Sequence, residues 1–251
     1  MFSVLLFCML VYLGCTAFSG YMIVKKLKSA AVTEAERTWH YQVSFTRNTV
    51  SGASVLLIVG VTPLTWEQVG LCPVRFQMGE HFVIMAGTFL VCGVFLVFVI
   101  GRTALLMASG AYRDFVSKDL EERAKNAGPY GRVAWQLIPR SNWEKEWFVI
   151  AALSAGVCEE LLFRGFGLCI LRGIWVDASG FLLAVVAGFG FGAVYFYRGL
   201  KGALRAGIAG TLLGFVYLGA QSVYPCMLVH FILHVFSVFL HNNVKAGNVR
   251  M

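Results

Sequence analysis

Charged residues and proline are scarce in this chain of 251 residues. Only 14% of the residues are charged and five are proline, whereas about a quarter of the residues in an ordinary soluble domain are charged. The seven cysteines are odd in number and never occur in a C-x-x-C spacing, which argues against a disulfide framework and a thiolate zinc site. The first 24 residues lack the basic start of a signal peptide, so we expect them to remain as a first span.

Apolar residues make up 58% of the chain, including 21 phenylalanines. A crossing of the bilayer core, which is about 30 Å thick, needs about 20 mostly apolar residues. Seven segments qualify: 2–24, 48–64, 82–100, 147–170, 178–197, 203–221 and 224–241. The sequence therefore predicts an all-α polytopic transmembrane helix bundle, with residues 1–251 forming a single membrane domain in a lipid bilayer.

The basic residues indicate an orientation for these spans. If the N-terminus is outside, 18 of the 21 Lys and Arg residues fall in the inner loops and tail, which predicts an N-out, C-in topology. The net charge of +8 then needs no nucleic-acid partner. We predict that the inner loop 101–146 lies at the membrane interface as an amphipathic helix and turn, the alternative being a substrate-binding element.

Two acids and a base interrupt the fourth predicted span. Glu160 and Arg164 are four residues apart with the acid first, the favoured order for an ion pair on a helix, and this pair could simply pin the span in the bundle. Glu159 has no base three or four residues further on, so it needs a partner from another helix. Because a charged side chain at mid-membrane costs about 2.5–3.5 kcal/mol, such residues indicate function by default.

Two histidines share one face of the seventh span. His230 and His234 are four residues apart, a spacing that can point both imidazoles at one ion. Together with the acids they could activate a water molecule inside the membrane, either bound to a metal or held by a glutamate acting as general base. The candidate metal ligands are Glu160, His230 and His234, with zinc or another divalent ion as the candidate cofactor.

The motifs resemble those of the CPBP intramembrane metalloprotease family, which includes the type II CAAX prenyl endopeptidases and the Abi immunity proteins. The pattern E-E-x-x-x-R matches Glu159, Glu160 and Arg164 in "CEELLFRGF". The family pattern F-x-x-x-H has its Phe in "FGAVYFYRG", but Tyr195 stands at the histidine position. The pattern H-x-x-x-N/D matches His230, with His234 at the Asn/Asp position. The resemblance covers about residues 135–241.

The resemblance implies a helical bundle with a polar cavity inside the membrane and an endopeptidase that hydrolyses a membrane-associated peptide or protein. The implied catalytic residues are Glu159, Glu160, Tyr195, His230 and His234. Either glutamate could be the catalytic acid. The resemblance leaves open whether catalysis uses a bound metal, or the acid as general base with the family's His and Asn as oxyanion donors. By the same resemblance we expect an integral protein of a bacterial-type plasma membrane.

Tyr195 leaves alternatives open, because a phenol is not a general base at neutral pH, although it can donate to an oxyanion. His234 could restore the missing imidazole and become the partner of Glu159. The chain could instead be a catalytically silent pseudoprotease that acts as a membrane scaffold or immunity-type binding protein. A proton-relaying transporter and a cysteine protease that pairs Cys158 with His230 are weaker alternatives.

The predicted spans also raise a question of depth. Tyr195 falls near the inner end of its span, whereas His230 is about 9 Å from the outer start of its own, at 1.5 Å per residue. Either residues 203–221 do not cross the membrane fully, or Tyr195 is not part of the site.

Overall fold

The computed structural model describes residues 1–27, 32–75, 82–125 and 136–242, which form helices joined by turns and loops. The helical elements include a π-helical stretch, Leu161–Gly167, and a 3₁₀ turn, Tyr195–Arg198. The α-helices are α1 (Phe2–Leu27), α2 (Glu34–Val61), α3 (Phe82–Ala108), α4 (Gly110–Lys125), α5 (Asn142–Glu160), α6 (Leu168–Ile174), α7 (Gly180–Val194), α8 (Leu200–Ala220) and α9 (Tyr224–Asn242).

The predicted all-α membrane bundle is confirmed over the described residues. Within them, three helical segments are long and apolar enough to cross a membrane: Phe2–Met22, Gly180–Arg198 and Leu200–Ala220. Each of the other predicted spans also falls on a helix, but the count of seven and the N-out orientation stay predictions. Within the loop 101–146, which is predicted to lie inside, α4 is helical over Gly110–Lys125, and residues 126–135 lie outside the described part of the chain.

Helices α2 and α5 lie side by side and run in the same direction. Asn48 Nδ2 donates to Ser154 Oγ at 3.4 Å, and a Cβ on Gly52 would lie 2.7 Å from Cys158 Sγ. Both contacts join residues 106 positions apart, so the two helices keep one register along their length. This register brings the middle of α2 level with the end of α5, where Glu159 lies.

The first turns of α2 and α5 are locked together. Each begins with a capping box, Thr33 with Glu36 in α2 and Ser141 with Glu144 in α5, which satisfies backbone N–H groups that a helix start leaves unpaired. Arg37 then donates to the fully buried Glu144 at 2.6 Å. Burial raises the pKa of Glu144, but hydrogen bonds from the Arg140 and Ser141 backbones and from Arg37 outweigh burial and lower it below its ordinary value.

Helices α7 and α8 approach each other through glycines. A Cβ on Gly188 would lie 2.5 Å from the backbone N of Thr211, and one on Gly192 would lie 2.9 Å from the Cα of Gly207. Glycines four residues apart allow helix backbones to approach closely in membranes. This contact holds α7 against α8 and so fixes the position of Phe191 and Tyr195 at the end of α7.

The turn between α8 and α9 is fixed by the loop that follows α2. Gln221 ends α8 in the left-handed conformation, with φ of 49°. Ser222 Oγ donates to the Cys72 carbonyl at 2.7 Å, and the Val223 N–H donates to the Gly70 carbonyl at 3.0 Å. The start of α9, which carries His230, is therefore held by hydrogen bonds to the backbone of a distant loop.

Candidate active site

Glu159 finds its partner in Tyr195. The Tyr195 hydroxyl lies 2.8 Å from Glu159 Oε2 and 3.1 Å from Oε1, and both side chains are buried. Since a carboxylate only accepts hydrogen bonds, the phenol is the donor. The residue at the family's histidine position therefore contacts the first acid of the motif and holds its carboxylate in one orientation.

Arg198 covers Tyr195 from the other end of the 3₁₀ turn. Its guanidinium carbon is 4.6 Å from the centre of the Tyr195 ring and 5.5 Å from that of Tyr197, within the range of a cation–π contact. The cation restricts the ring of Tyr195 and adds positive charge to the surroundings of Glu159.

A small cavity opens beside this pair. Its volume is about 20 Å³, which is room for about one water molecule, and Glu159 and Tyr195 belong to its lining. The other polar side chains in the lining are Tyr12 and Thr16 of α1, Arg47, Asn48 and Ser51 of α2, and Tyr197 of the 3₁₀ turn. Polar groups that converge on an otherwise apolar cavity mark the default candidate for a binding or active site.

Glu160 belongs to a second, separate group of polar side chains. It is fully buried, and its Oε1 accepts from Arg164 Nη1 at 2.8 Å and lies 2.6 Å from His230 Nδ1. Arg164 also donates to the Gly210 carbonyl on α8 at 2.8 Å. The pair therefore ties the π-helical stretch to α8 and α9.

The histidines form a chain that ends on Glu160. His234 Nε2 lies 3.0 Å from His230 Nε2, and the two rings stack with centres 4.9 Å apart. Because the carboxylate accepts, His230 donates its Nδ1 proton to Glu160. The donor and acceptor of the contact between the two histidines depend on their tautomers. This contact joins His234 to the group of Glu160, whereas the partner of Glu159 is Tyr195.

Phe191 packs against both groups. Its ring centre is 5.1 Å from that of Tyr195 and 5.9 Å from that of His230, and the Arg164 guanidinium carbon is 4.9 Å from it. The motif residues thus form two groups joined by an aromatic ring. Tyr195 and His230 both contact the ring of Phe191, so they lie close together in depth. Helix α8 is nevertheless helical over its full 21 residues. A full-length α8 is therefore compatible with Tyr195 and His230 lying beside the same ring.

The candidate metal ligands do not fit a metal centre. Among the described residues, no three His, Cys, Asp or Glu side chains are arranged to hold an ion. Glu160 Oε1 is occupied by Arg164 and His230, and the facing nitrogens of the histidines are already in contact. Glu160 Oε2 is buried without a hydrogen-bond partner, but one oxygen atom is too few for the three or four ligands of a zinc site.

The contribution of α2 to the cavity does not follow from the ionisable residues inside the predicted spans. Asn48 and Ser51 are not ionisable, and Arg47 falls one residue before the predicted span 48–64. The sequence does indicate a polar site on α2, because Asn48 and Ser51 are three residues apart within an apolar stretch. Residues at this spacing share a helix face. Cys158, the alternative nucleophile, faces Gly52 of α2.

A family model described as type II CAAX prenyl endopeptidase Rce1-like matches residues 141–236, less than half of the chain. We call residues 141–236 the CPBP segment, because the family that matches them supports the resemblance to the CPBP family. The resemblance drawn from Glu159, Glu160 and Arg164 is therefore confirmed, and both groups of motif residues lie within this CPBP segment. No curated protein and no solved structure gives a significant match to the chain.

The CPBP segment supports two coarser statements about the whole chain. The family that matches it is typically one of proteases, which supports a protease that acts on a membrane-embedded peptide. The apolar helices and the family together support an integral membrane protein.

Proposed function

We propose that this protein is an intramembrane endopeptidase in which Glu159 is the general base. The observation that carries the proposal is the position of Glu159, whose carboxylate lines the polar cavity while the Tyr195 hydroxyl orients it. Glu160 is assigned a structural role, because it is fully buried and bound to Arg164 and His230. The substrate is a membrane-associated peptide or protein, and the location of the enzyme is a plasma membrane of the bacterial type.

The reaction needs only a water molecule and the residues of the cavity. Glu159 takes a proton from the water as its oxygen attacks the carbonyl carbon, and the carbonyl π electrons move to the oxygen. When the tetrahedral intermediate collapses, the C–N bond breaks and Glu159 returns the proton to the leaving amine. General acid–base catalysis of this kind contributes about 10²–10⁴-fold to a rate. No step passes through a metal.

A second candidate, a catalytically silent scaffold or immunity-type binding protein, is favoured by one observation. The Tyr195 hydroxyl is within hydrogen-bond distance of both oxygens of Glu159, so it competes with the water that Glu159 must activate. In this alternative the cavity binds a membrane peptide but does not cleave it.

The test is cleavage by the purified full chain of a panel of membrane peptides, both prenylated and unprenylated. We expect the wild type to cleave and Glu159→Gln to lose cleavage, whereas Glu146→Gln, an exposed position on α5, should leave it unchanged. No cleavage by the wild type, with cleavage gained in Tyr195→His or Tyr195→Phe, would overturn the protease in favour of the silent protein. Loss of cleavage in both glutamine variants would also contradict the role of Glu159.

A further inference from the structure

The cavity takes part of its polar lining from outside the CPBP segment. Arg47, Asn48 and Ser51 of α2 line it together with Glu159 and Tyr195, whereas the CPBP segment begins at residue 141. The common register of α2 and α5 places Asn48 level with Ser154, five residues before Glu159, or about 7.5 Å along the axis at 1.5 Å per residue. A substrate carbonyl attacked beside Glu159 would thus lie within reach of the α2 side chains.

Arg47 carries a charge that has no carboxylate partner among the described residues. Its guanidinium makes one long hydrogen bond, from Nη2 to Asn48 Oδ1 at 3.4 Å, and Asn48 is in turn bonded to Ser154. A guanidinium has five N–H donors, so most of those of Arg47 have no partner among the described residues. Arg47 is half-buried and lies one residue before the predicted span 48–64, so its charge lies at the edge of the membrane-spanning part and lines the cavity.

The motif residues Tyr195 and His230 leave one requirement of peptide hydrolysis unmet. The oxygen of the tetrahedral intermediate carries a negative charge that needs hydrogen-bond donors. The Tyr195 hydroxyl already donates to Glu159, and His230 donates to Glu160 and contacts His234. Neither Tyr195 nor His230 is therefore a spare donor beside Glu159.

We propose that Arg47 is the electrophilic residue of the proposed hydrolysis, and that its guanidinium donates to the oxyanion of the tetrahedral intermediate. Asn48 Oδ1 is the acceptor that holds the guanidinium at the cavity. As the carbonyl electrons move to oxygen, Arg47 stabilises the new charge, and it keeps its proton when these electrons return and the C–N bond breaks. The inference rests on the proposed protease function and adds the stabilising charge that Tyr195 does not supply.

The experiment separates catalysis from binding with the full chain and the best-cleaved peptide of the panel. Removing an oxyanion donor typically lowers kcat about 10²–10³-fold, and we expect this fall in Arg47→Met with little change in KM. The matched control is Arg75→Met, since Arg75 is exposed, paired with Glu67 and absent from the cavity lining. A phosphonate analogue of the same peptide, which mimics the oxyanion, should lose affinity for Arg47→Met by a similar factor.

Arg47→Lys keeps a positive charge but loses the forked donor geometry of arginine, and it carries the test if the methionine variant does not fold. We expect the kcat of Arg47→Lys to fall at least about tenfold. Its thermal unfolding midpoint should stay equal to that of the wild type. If the wild type cleaves and the Arg47 variants keep its kcat but raise KM, Arg47 binds substrate only and the inference is overturned, while the protease proposal stands. A wild type that cleaves no peptide overturns both.

Discussion

Replacing Glu160 and Glu159 one at a time by glutamine separates stability from catalysis. Glu160→Gln keeps the shape of the side chain but removes the charge that Arg164 and His230 share. Arg164, whose side chain is 1% exposed, would keep its contact with the Gly210 carbonyl and lose its counter-ion. Breaking a buried ion pair from one side costs about 3–5 kcal/mol, so we expect a loss of this size in the free energy of unfolding.

Glu159→Gln should cost much less stability. The carbonyl oxygen of the new amide can still accept from Tyr195, so the change weakens one hydrogen bond, a contribution of about 0.5–1.5 kcal/mol. The two variants should therefore differ in free energy of unfolding by about 1.5–4.5 kcal/mol. The loss of activity should be larger in Glu159→Gln than in Glu160→Gln, because Glu159 lines the cavity and Glu160 does not.

The assay unfolds each purified variant in mixed micelles by titration with a denaturing detergent, and measures peptide cleavage on the same preparations. Folded Glu160→Gln should retain cleavage, and Glu159→Gln should lose about 10²–10⁴-fold, the contribution of a general base. Equal destabilisation by the two changes would refute the division into two groups. Full loss of cleavage in folded Glu160→Gln would make Glu160 the base.

Three further outcomes can be measured on the same preparations. Gly188→Ala should lower the free energy of unfolding by about 1–3 kcal/mol, because its Cβ would meet the Thr211 backbone N at 2.5 Å. Gly190→Ala is the control: its Cβ would meet no atom within 4 Å, so this change should raise the free energy of unfolding by up to about 1 kcal/mol. Equal effects of the two changes on the melting temperature would contradict this packing. Because the folded pKa of Glu144 is lowered, its contribution to stability is present above the ordinary carboxyl pKa of about 4.3 and is lost as the pH falls through the lower folded value. Melting temperatures from pH 7 to 3 should therefore converge between wild type and Glu144→Gln at the acid end, and a constant difference would contradict the shift. A chelator should leave peptide cleavage unchanged, and a loss restored by zinc would contradict the conclusion that Glu160 and the histidines do not form a metal centre.

Contacts within one helix follow from residue spacing alone. Arg164 pairs with Glu160, and the ring of His234 stacks on that of His230. Both contacts form because side chains four residues apart share a helix face. The helical bundle follows in the same way from the apolar runs, since a helix satisfies its own backbone hydrogen bonds inside a membrane. Such contacts need no knowledge of how the helices are arranged.

Contacts between helices depend on their axial register, which neither partner's sequence contains. Spacing shows that Glu159 needs a partner but does not choose between His234 and Tyr195. The choice depends on the glycine contact that sets the height of α7 and on the turn that sets the start of α9. Arg47 reaches the cavity only because α2 and α5 run in parallel in one register, which the locked first turns at Arg37 and Glu144 stabilise.

The chain departs from the family motifs at Tyr195 and at His234, and these two residues lie in different groups of polar side chains. Tyr195 contacts Glu159 at the cavity, whereas His234 contacts His230, whose other nitrogen is on Glu160. In the structure the imidazole of His234 contacts the buried group with Arg164, whereas Glu159 contacts Tyr195. Outside the CPBP segment, Arg47 is the cationic side chain in the cavity lining. Under the proposed hydrolysis, the activity of Glu159 would therefore depend on α2 as well as on the motif that carries it.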